Sequence, residues 1–493
     1  MRQKIDFTSY KTILVAALVI RLIAVVFSQG YGMHDDHFLI VEASASWVDG
    51  FDYNNWLPWS PGSNGSPEGH SFTYVGINYL IFSFLKGIGI ADPKVLMLFN
   101  RLFHGLFSLL IVHFGFKITE KLSDKKNAVI VGWILALLWV LPFLSVRNLV
   151  EITCIPFLMW GIWLTLKSDK LVRYLFAGLL IGMAVSFRYQ VGVFAVGMAA
   201  VYFFQKEFKG FFLFCAGVLI TFSLTQGLVD YLIWGYPFAE FIGYSTYNVN
   251  EGTEYIPNNN YLMYLLVLMA AFLFPLGLLV GVGFFRGAKK YMAYFVPVML
   301  FILFHTFYPS KQERFILPVL PLFLMFGVMG YDLLRNKDFW QKAWSFSTKA
   351  FWILNIPLLL FASFTYSKKS RVESMYYFYG KDTKEARILQ EATGETSVSM
   401  LPKFYSGNWT LSAITRESKE QHPCVYANYT YEYILFCGEE NLEARIAEYK
   451  VLFPEMELVQ VCEPSMVDAF LRWLNPRNSN EYIEIWKTQN VPN

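Results

Sequence analysis

The sequence predicts an α-helical polytopic membrane protein with a small C-terminal α/β or α+β domain, and three observations carry that prediction. Hydrophobic residues make up 55% of the chain and charged residues only 16%, with a mean hydropathy of +0.37, too apolar for soluble domains with charged skins. Apolar runs of about the ~20 residues that cross a ~30 Å hydrocarbon core recur from residue 10 to residue 366. After residue 366 charged and polar residues return to ordinary globular frequency. The formal net charge of +3 is spread in short clusters between the apolar runs, so it reports topology and gives no nucleic-acid footprint.

The first run, 10–29, is longer than a signal-peptide core, lacks a small-residue cleavage site and contains Arg21, so it reads as a retained helix. Arg21 inside a span calls for an internal carboxylate partner. Arg2, Lys4 and Lys11 place the N-terminus in the cytoplasm and the next loop outside. That loop runs through a polar stretch with Trp56, Trp59, Pro61 and Gly62 into a second apolar run, 72–90. If 72–90 crossed, the next span would leave Lys117, Lys121, Lys125 and Lys126 outside; it therefore reads as an interfacial or re-entrant helix. Further spans follow at 95–117, 128–144, 152–167, 172–187, 191–204, 211–228, 261–284, 291–307, 316–334 and 348–366. Alternate connections then carry the basic clusters, giving roughly eleven spans with the C-terminus outside.

Two modules are expected: a transmembrane module over 1–366, with external loop 30–94, and an extracytoplasmic domain over 367–493. The latter, roughly 125 residues, can bury a core of its own. Its runs at 424–436 and 450–462 read as strands, and those at 439–449 and 464–474 as helices. Cys424, Cys437 and Cys462 lie in it; Cys424 with Cys437 is the nearest pair, although spacing alone does not choose. Cys154 and Cys215 read as packed span residues.

The polar residues that the spans do not explain gather on one side. After the first span comes His34-Asp35-Asp36-His37-Phe38, continuing to Glu42. The other external connections hold Arg147-Asn148 with Glu151, Arg188-Tyr189-Gln190, a Tyr- and Asn-rich loop over 230–260, and Lys311-Gln312-Glu313-Arg314. Charges at the ends of apolar spans are costly unless paired or facing a polar cavity.

Tyr308-Pro-Ser-Lys-Gln-Glu-Arg-Phe-Ile-Leu-Pro318 with Pro321 resembles the His-Lys-Glu-x-Arg-Phe signature of glycosyltransferase family 22. These are GT-C mannosyltransferases that use dolichyl-phosphate mannose to build GPI anchors and the N-glycan precursor. Lys311, Arg314 and Phe315 match; Ser310 stands for the histidine and Gln312 for the glutamate. Asp35-Asp36, Phe38 and Glu42 resemble the family's first-loop Asp-Glu, aromatic and glutamate, with Asp36 for Glu. Asn148 and Glu151 resemble its Asn-x-x-Glu, with Arg147 adjacent to the Asn and not four residues ahead of it; Arg188 resembles its Arg-Pro-Thr site, from which Tyr189-Gln190 depart. The resemblance implies a GT-C fold and transfer of mannose or a related hexose from a polyprenyl-phosphate sugar to a lipid-linked or protein-linked glycan hydroxyl. The C-terminal domain carries no such resemblance.

Inverting transfer to a hydroxyl needs a carboxylate to take the proton, and a neighbouring carboxylate raises the pKa of one member of a pair. Asp36 or Asp35 is the expected base, with Glu42, His34, His37, Glu151 and Gln190 in support. Lys311, Arg314, Arg188 and Arg147 are expected to hold the donor phosphate. Competing readings make Asp35 a helix N-cap, make Lys311 and Arg314 snorkelling anchors, and make Trp56, Trp59, Tyr244 and Tyr247 interfacial belt residues instead of sugar platforms. No cofactor is firmly implied; His34 and His37 with the carboxylates offer the one arrangement suggesting a divalent metal. Alternatives are a protein-O-mannosyl or aminoarabinose-type lipid A transferase, which would lack Lys311-x-x-Arg314-Phe315, a transporter, which would show two similar halves, and a non-catalytic subunit of glycan assembly. The chain leans to a bacterial inner membrane with a periplasmic site; Asn64, Asn408 and Asn428 begin sequons usable only in an ER-lumen setting.

Overall fold

Apolar runs fold into helices because nothing in a bilayer but the chain itself can satisfy backbone N–H and C=O groups. The structure is a computed structural model; it describes residues 6–54, 57–59, 67, 69–166, 170–250, 258–381, 387–391, 400–407, 410–414, 431–474 and 482–488. Trp56, Pro61, Gly62, Cys424 with its proposed pairing, and the sequons at Asn64, Asn408 and Asn428 lie outside the described residues. The chain divides into two compact units, Met1–Val26, Pro58–Asn78 and Phe99–Phe364 in the first, and Phe27–Leu57, Tyr79–Leu98 and Thr365–Asn493 in the second.

The first unit is helical. Among the described residues Tyr10–Phe27, Pro93–Leu122, Phe208–Trp234, Glu313–Asp332 and Asp338–Ser363 are long and apolar enough to cross a membrane, and Val150–Leu166, Val172–Phe187, Val191–Phe204 and Met292–Phe307 are shorter apolar helices. The span expected at 261–284 is instead two helices, Met263–Ala271 and Leu276–Gly287, bent by 119°. The one expected at 128–144 breaks at Leu138 into Lys125–Leu137 and Val140–Ser145. Helices Leu276–Gly287 and Leu320–Asp332 approach so closely that a Cβ on Gly330 would lie 1.9 Å from the Gly283 carbonyl oxygen, the small-residue contact by which apolar helices pack in lipid.

Arg21 corrects its expectation. Fully buried, it donates to Ser108 Oγ at 2.8 Å and to the carbonyls of Ala17 at 3.2 Å, Ala136 at 3.1 Å and Leu135 at 3.4 Å, with no carboxylate among these partners. Two of those carbonyls belong to the last turn of Lys125–Leu137, whose C=O groups have no intrahelical partner and carry the negative end of the helix dipole.

The second unit contains a five-stranded mixed sheet. Its strands are β1 (Arg387–Glu391), β2 (Thr410–Ile414), β3 (Tyr433–Cys437), β4 (Glu457–Cys462) and β5 (Ile483–Lys487), in the order β2-β1-β3-β5-β4. β1 pairs in parallel with β2 and β3, whereas β5 is antiparallel to β3 and β4. Helices Leu442–Leu452 and Met466–Leu474 lie where the sequence places them, but 450–456, expected as strand, completes the first helix and turns into β4. Tyr31, Phe38, Val41 and Tyr53 of the loop after the first span share one core with Ile388, Leu435, Ile483 and Ile485 of the sheet. Arg445 closes the sheet's C-terminal edge by an ion pair with Glu391 at 2.6 Å and a hydrogen bond to the Cys437 carbonyl at 3.0 Å.

The second unit also ties together the two chain segments that follow the helices Tyr10–Phe27 and Asp338–Ser363. Ser367 N–H donates to the Gln29 carbonyl at 3.0 Å, and Gly30 and Ser367 form a parallel bridge. Gln29 follows the helix Tyr10–Phe27 by two residues and Ser367 follows Asp338–Ser363 by four, so the two segments that enter the second unit from these apolar helices pair with each other at once. Gly30 adopts φ +77°, and a Cβ there would lie 1.8 Å from the Ser367 oxygen; only glycine admits this contact.

Candidate active site

In the second unit, residues 34–42 form a helix whose Asp36–Glu42 stretch is π-helical, a geometry that recurs at functional sites. Asp36 is buried at 3% exposure, while the side chain of Asp35 is 40% exposed. Asp35 has helical φ and ψ and makes no capping hydrogen bond, so it is not an N-cap. His34 Nδ1 lies 3.8 Å from Asp35 Oδ1. His37 is held flat between the rings of Tyr31, 4.5 Å away, and Tyr405, 5.7 Å away, with Nε2 3.6 Å from Glu42 Oε1.

Glu42 is the anchor of this segment. Fully buried, it accepts the Phe404 N–H at 2.8 Å and the Asn54 side-chain amide, tying the acidic helix to the 403–405 turn. Beside it Lys403 donates to the Tyr53 carbonyl at 2.8 Å; burial draws the pKa of Lys403 down, opposed by the charges of Glu42 and Asp52. Among the described residues, no group of three or more His, Cys, Asp or Glu side chains is placed to hold a metal ion.

The first unit brings together three charged residues from separate stretches of sequence. Glu151, fully buried in the first turn of a helix where a carboxylate is favoured, lies 3.3 Å from Arg188 Nη2 and 3.8 Å from Arg314 Nε. Both guanidinium groups also lie near the Phe315 ring, at 4.8 Å for Arg188 and 5.7 Å for Arg314. Gln312 accepts Arg314 Nε–H at 2.7 Å, so the amide at this position keeps an acceptor for the arginine. Arg188 Nε and Nη2 are buried without a hydrogen-bond partner, the Glu151 contact being an ion pair outside hydrogen-bond geometry. The arrangement is a dehydrated cluster in which Arg188 has donors to spare, suited to an anion with several oxygens.

The remaining expected residues divide. Lys311 is buried at 3% exposure and donates to the Asn258 carbonyl, 5.8 Å from the Tyr261 ring centre. Neither it nor Arg314, whose side chain is 10% exposed, reaches out as a snorkelling anchor would. Arg147 is buried over the Phe143 ring at 4.4 Å, next to Asn148 in the left-handed region. Gln190 donates to the Tyr244 hydroxyl, which removes Tyr244 from the simple belt reading.

Two groups escaped sequence reasoning. His305, buried in the last turn before the signature, donates from Nδ1 to the Phe301 carbonyl at 2.9 Å and leaves Nε2 without a partner, its ring 6.4 Å from Phe315. A histidine one turn ahead of a signature whose own histidine position holds Ser310 was the available signal. Glu240 accepts the N–H groups of Gly69 at 2.6 Å and His70 at 3.0 Å, and Asp230 accepts the Glu240 N–H at 2.9 Å. Burial, then the Asp230 charge, pushes the Glu240 carboxyl up to about 8.

Comparison with known proteins places these features. The chain superposes on ArnT from Cupriavidus metallidurans bound to undecaprenyl phosphate with a TM-score of 0.63 and 11% identity, covering 98% of this chain and 99% of that one. It superposes on the Archaeoglobus fulgidus oligosaccharyltransferase in complex with Zn and sulfate with a TM-score of 0.56 and 12% identity, over 86% and 68% of the two chains. The AglB oligosaccharyltransferase of the same organism, in complex with an inhibitory peptide and a dolichol-phosphate, gives 0.50 and 11% over 87% and 69%. These likenesses show the fold, that of the GT-C membrane glycosyltransferases. No curated protein matches the sequence. The model of the Alg9-like mannosyltransferase family matches residues 12–407, so the chain belongs to that family and is an integral-membrane glycosyltransferase.

Proposed function

We propose that the protein transfers mannose or a related hexose, with inversion, from a polyprenyl-phosphate sugar to a hydroxyl of a lipid-linked glycan on the extracytoplasmic face. The observation that carries this reading is the cluster of Arg188 and Arg314 on buried Glu151, with Arg188 Nε and Nη2 making no hydrogen bond. A phosphate leaving group needs cationic donors and not a strong acid, and two guanidinium groups supply them. Glu151 offsets part of their charge.

Asp36 is the proposed base. Its burial fits a carboxylate that takes a hydroxyl proton as the hydroxyl attacks the anomeric carbon and the C–O bond to phosphate breaks. Asp35, more exposed, positions the acceptor, and Glu42 holds the segment in place. Lys311 and Arg147 assist at the donor phosphate. Solved relatives of the same fold bind undecaprenyl phosphate or dolichol-phosphate, which supports a polyprenyl carrier for the donor.

Reconstituted protein given radiolabelled polyprenyl-phosphate mannose tests the proposal. Transfer that falls with Arg188→Leu through a raised donor KM is expected; transfer from aminoarabinose-charged carrier in place of mannose would favour a lipid A-type enzyme.

A further inference from the structure

The helix Met466–Leu474 is built inside out for a protein in water. Ser465 caps it, accepting the Asp468 N–H at 3.1 Å, and the helix then turns its polar Asp468 inward, buried at 2% exposure. Met466, Phe470, Trp473 and Leu474 recur at i, i+4, i+7 and i+8, one face of the helix, and are 90%, 48%, 76% and 58% exposed. Phe470 and Trp473 stack on each other at 5.9 Å, which joins the face into one apolar strip.

The place where this helix is tied down identifies what the strip meets. Asp468 accepts the Lys369 N–H at 3.2 Å. Lys369 is two residues past Ser367, itself hydrogen-bonded to Gln29, and Ser367 and Gln29 follow the ends of Asp338–Ser363 and Tyr10–Phe27 by four and two residues. Two residues reach at most about 7 Å, so the helix is pinned to the short segment that continues from the apolar helix Asp338–Ser363. An apolar face ending in Trp, tethered within a few residues of chain to helices long and apolar enough to cross a membrane, matches the aromatic belt and the interfacial amphipathic helix.

We propose that Met466–Leu474 lies in the headgroup–acyl boundary, with Met466, Phe470, Trp473 and Leu474 in lipid. It would anchor the sheet domain to the bilayer surface independently of the spans.

Full-length protein in phosphatidylcholine–phosphatidylglycerol nanodiscs tests this. Trp473→Cys and Phe470→Cys carry an environment-sensitive fluorophore, with the labelled unsubstituted chain as background and Glu448→Cys, exposed on Leu442–Leu452, as the aqueous reference. Blue-shifted emission, quenched by doxyl-labelled lipid and not by iodide, is expected at 470 and 473 alone. Iodide quenching equal to that at 448 overturns the proposal. Shielding from both quenchers also overturns it and indicates a protein partner on this face.

Discussion

Replacing Glu151 by Gln removes the negative charge that lies 3.3 Å from one buried guanidinium and 3.8 Å from another. At an effective dielectric of about 20 each contact is worth roughly 4–5 kcal/mol of Coulomb attraction. Dehydration of the three groups offsets much of that, and deleting one partner of a buried pair costs about 3–5 kcal/mol net because the other charge stays buried. The assay is thermal unfolding in detergent, with and without polyprenyl phosphate. Glu151→Gln should melt well below wild type. The phosphate should then close part of the gap, since a ligand at 100 times its Kd stabilises by about 2.7 kcal/mol and the variant's cluster is the more positive. Unfolding of ligand-free Glu151→Gln at the wild-type temperature would refute the charge balance. Equal stabilisation of wild type and Arg188→Leu by polyprenyl phosphate would refute the phosphate site.

Other perturbations probe separate parts of the fold. Glu240 binds its proton more tightly folded than unfolded, so its contribution to stability is full below the ordinary value of 4.5 and is lost as pH rises to about 8. Glu240→Gln keeps an acceptor for the Gly69 and His70 N–H groups and should flatten the fall in melting temperature across that window. Glu42→Leu strands the buried Phe404 N–H and the Asn54 amide, at about 1–3 kcal/mol each, and should lower denaturant midpoints more than Glu42→Gln, which keeps one acceptor. Gly30→Ala puts a Cβ into the Ser367 oxygen at a left-handed φ; size-exclusion profiles should show little folded monomer, whereas Gly50→Ala, left-handed but in open space, should cost only the left-handed strain of about 1–2 kcal/mol.

The helical membrane class and the position of most spans were legible because length and apolarity decide them. Hydropathy cannot register a break inside an apolar run, which is why 261–284 was read as one span. There Pro275, lacking an N–H and disfavouring helix at the residue before it, splits the run within Phe272–Pro275. Arg21 lies inside the helix as expected, but two of its partners are main-chain carbonyls freed by the break at Leu138, which no side-chain pattern announces. At the site, the signature supplied Arg314 and Phe315 and the span ends supplied Glu151 and Arg188; that these four converge is tertiary information. β1, β2 and β5 were missed because five-residue strands in a mixed sheet leave a short period-2 signal. Glu240 was invisible for another reason: its partners are backbone N–H groups about 170 residues away.

Asp36 acts as base only if this chain moves a sugar from a polyprenyl phosphate to a hydroxyl. The most direct test is transfer of radiolabelled mannose from polyprenyl-phosphate mannose by purified wild type and by Asp36→Asn, each shown to be folded by its melting curve. Wild type should transfer, and kcat of the variant should fall on the order of 10²-fold or more. Undiminished transfer by folded Asp36→Asn would contradict that role for Asp36.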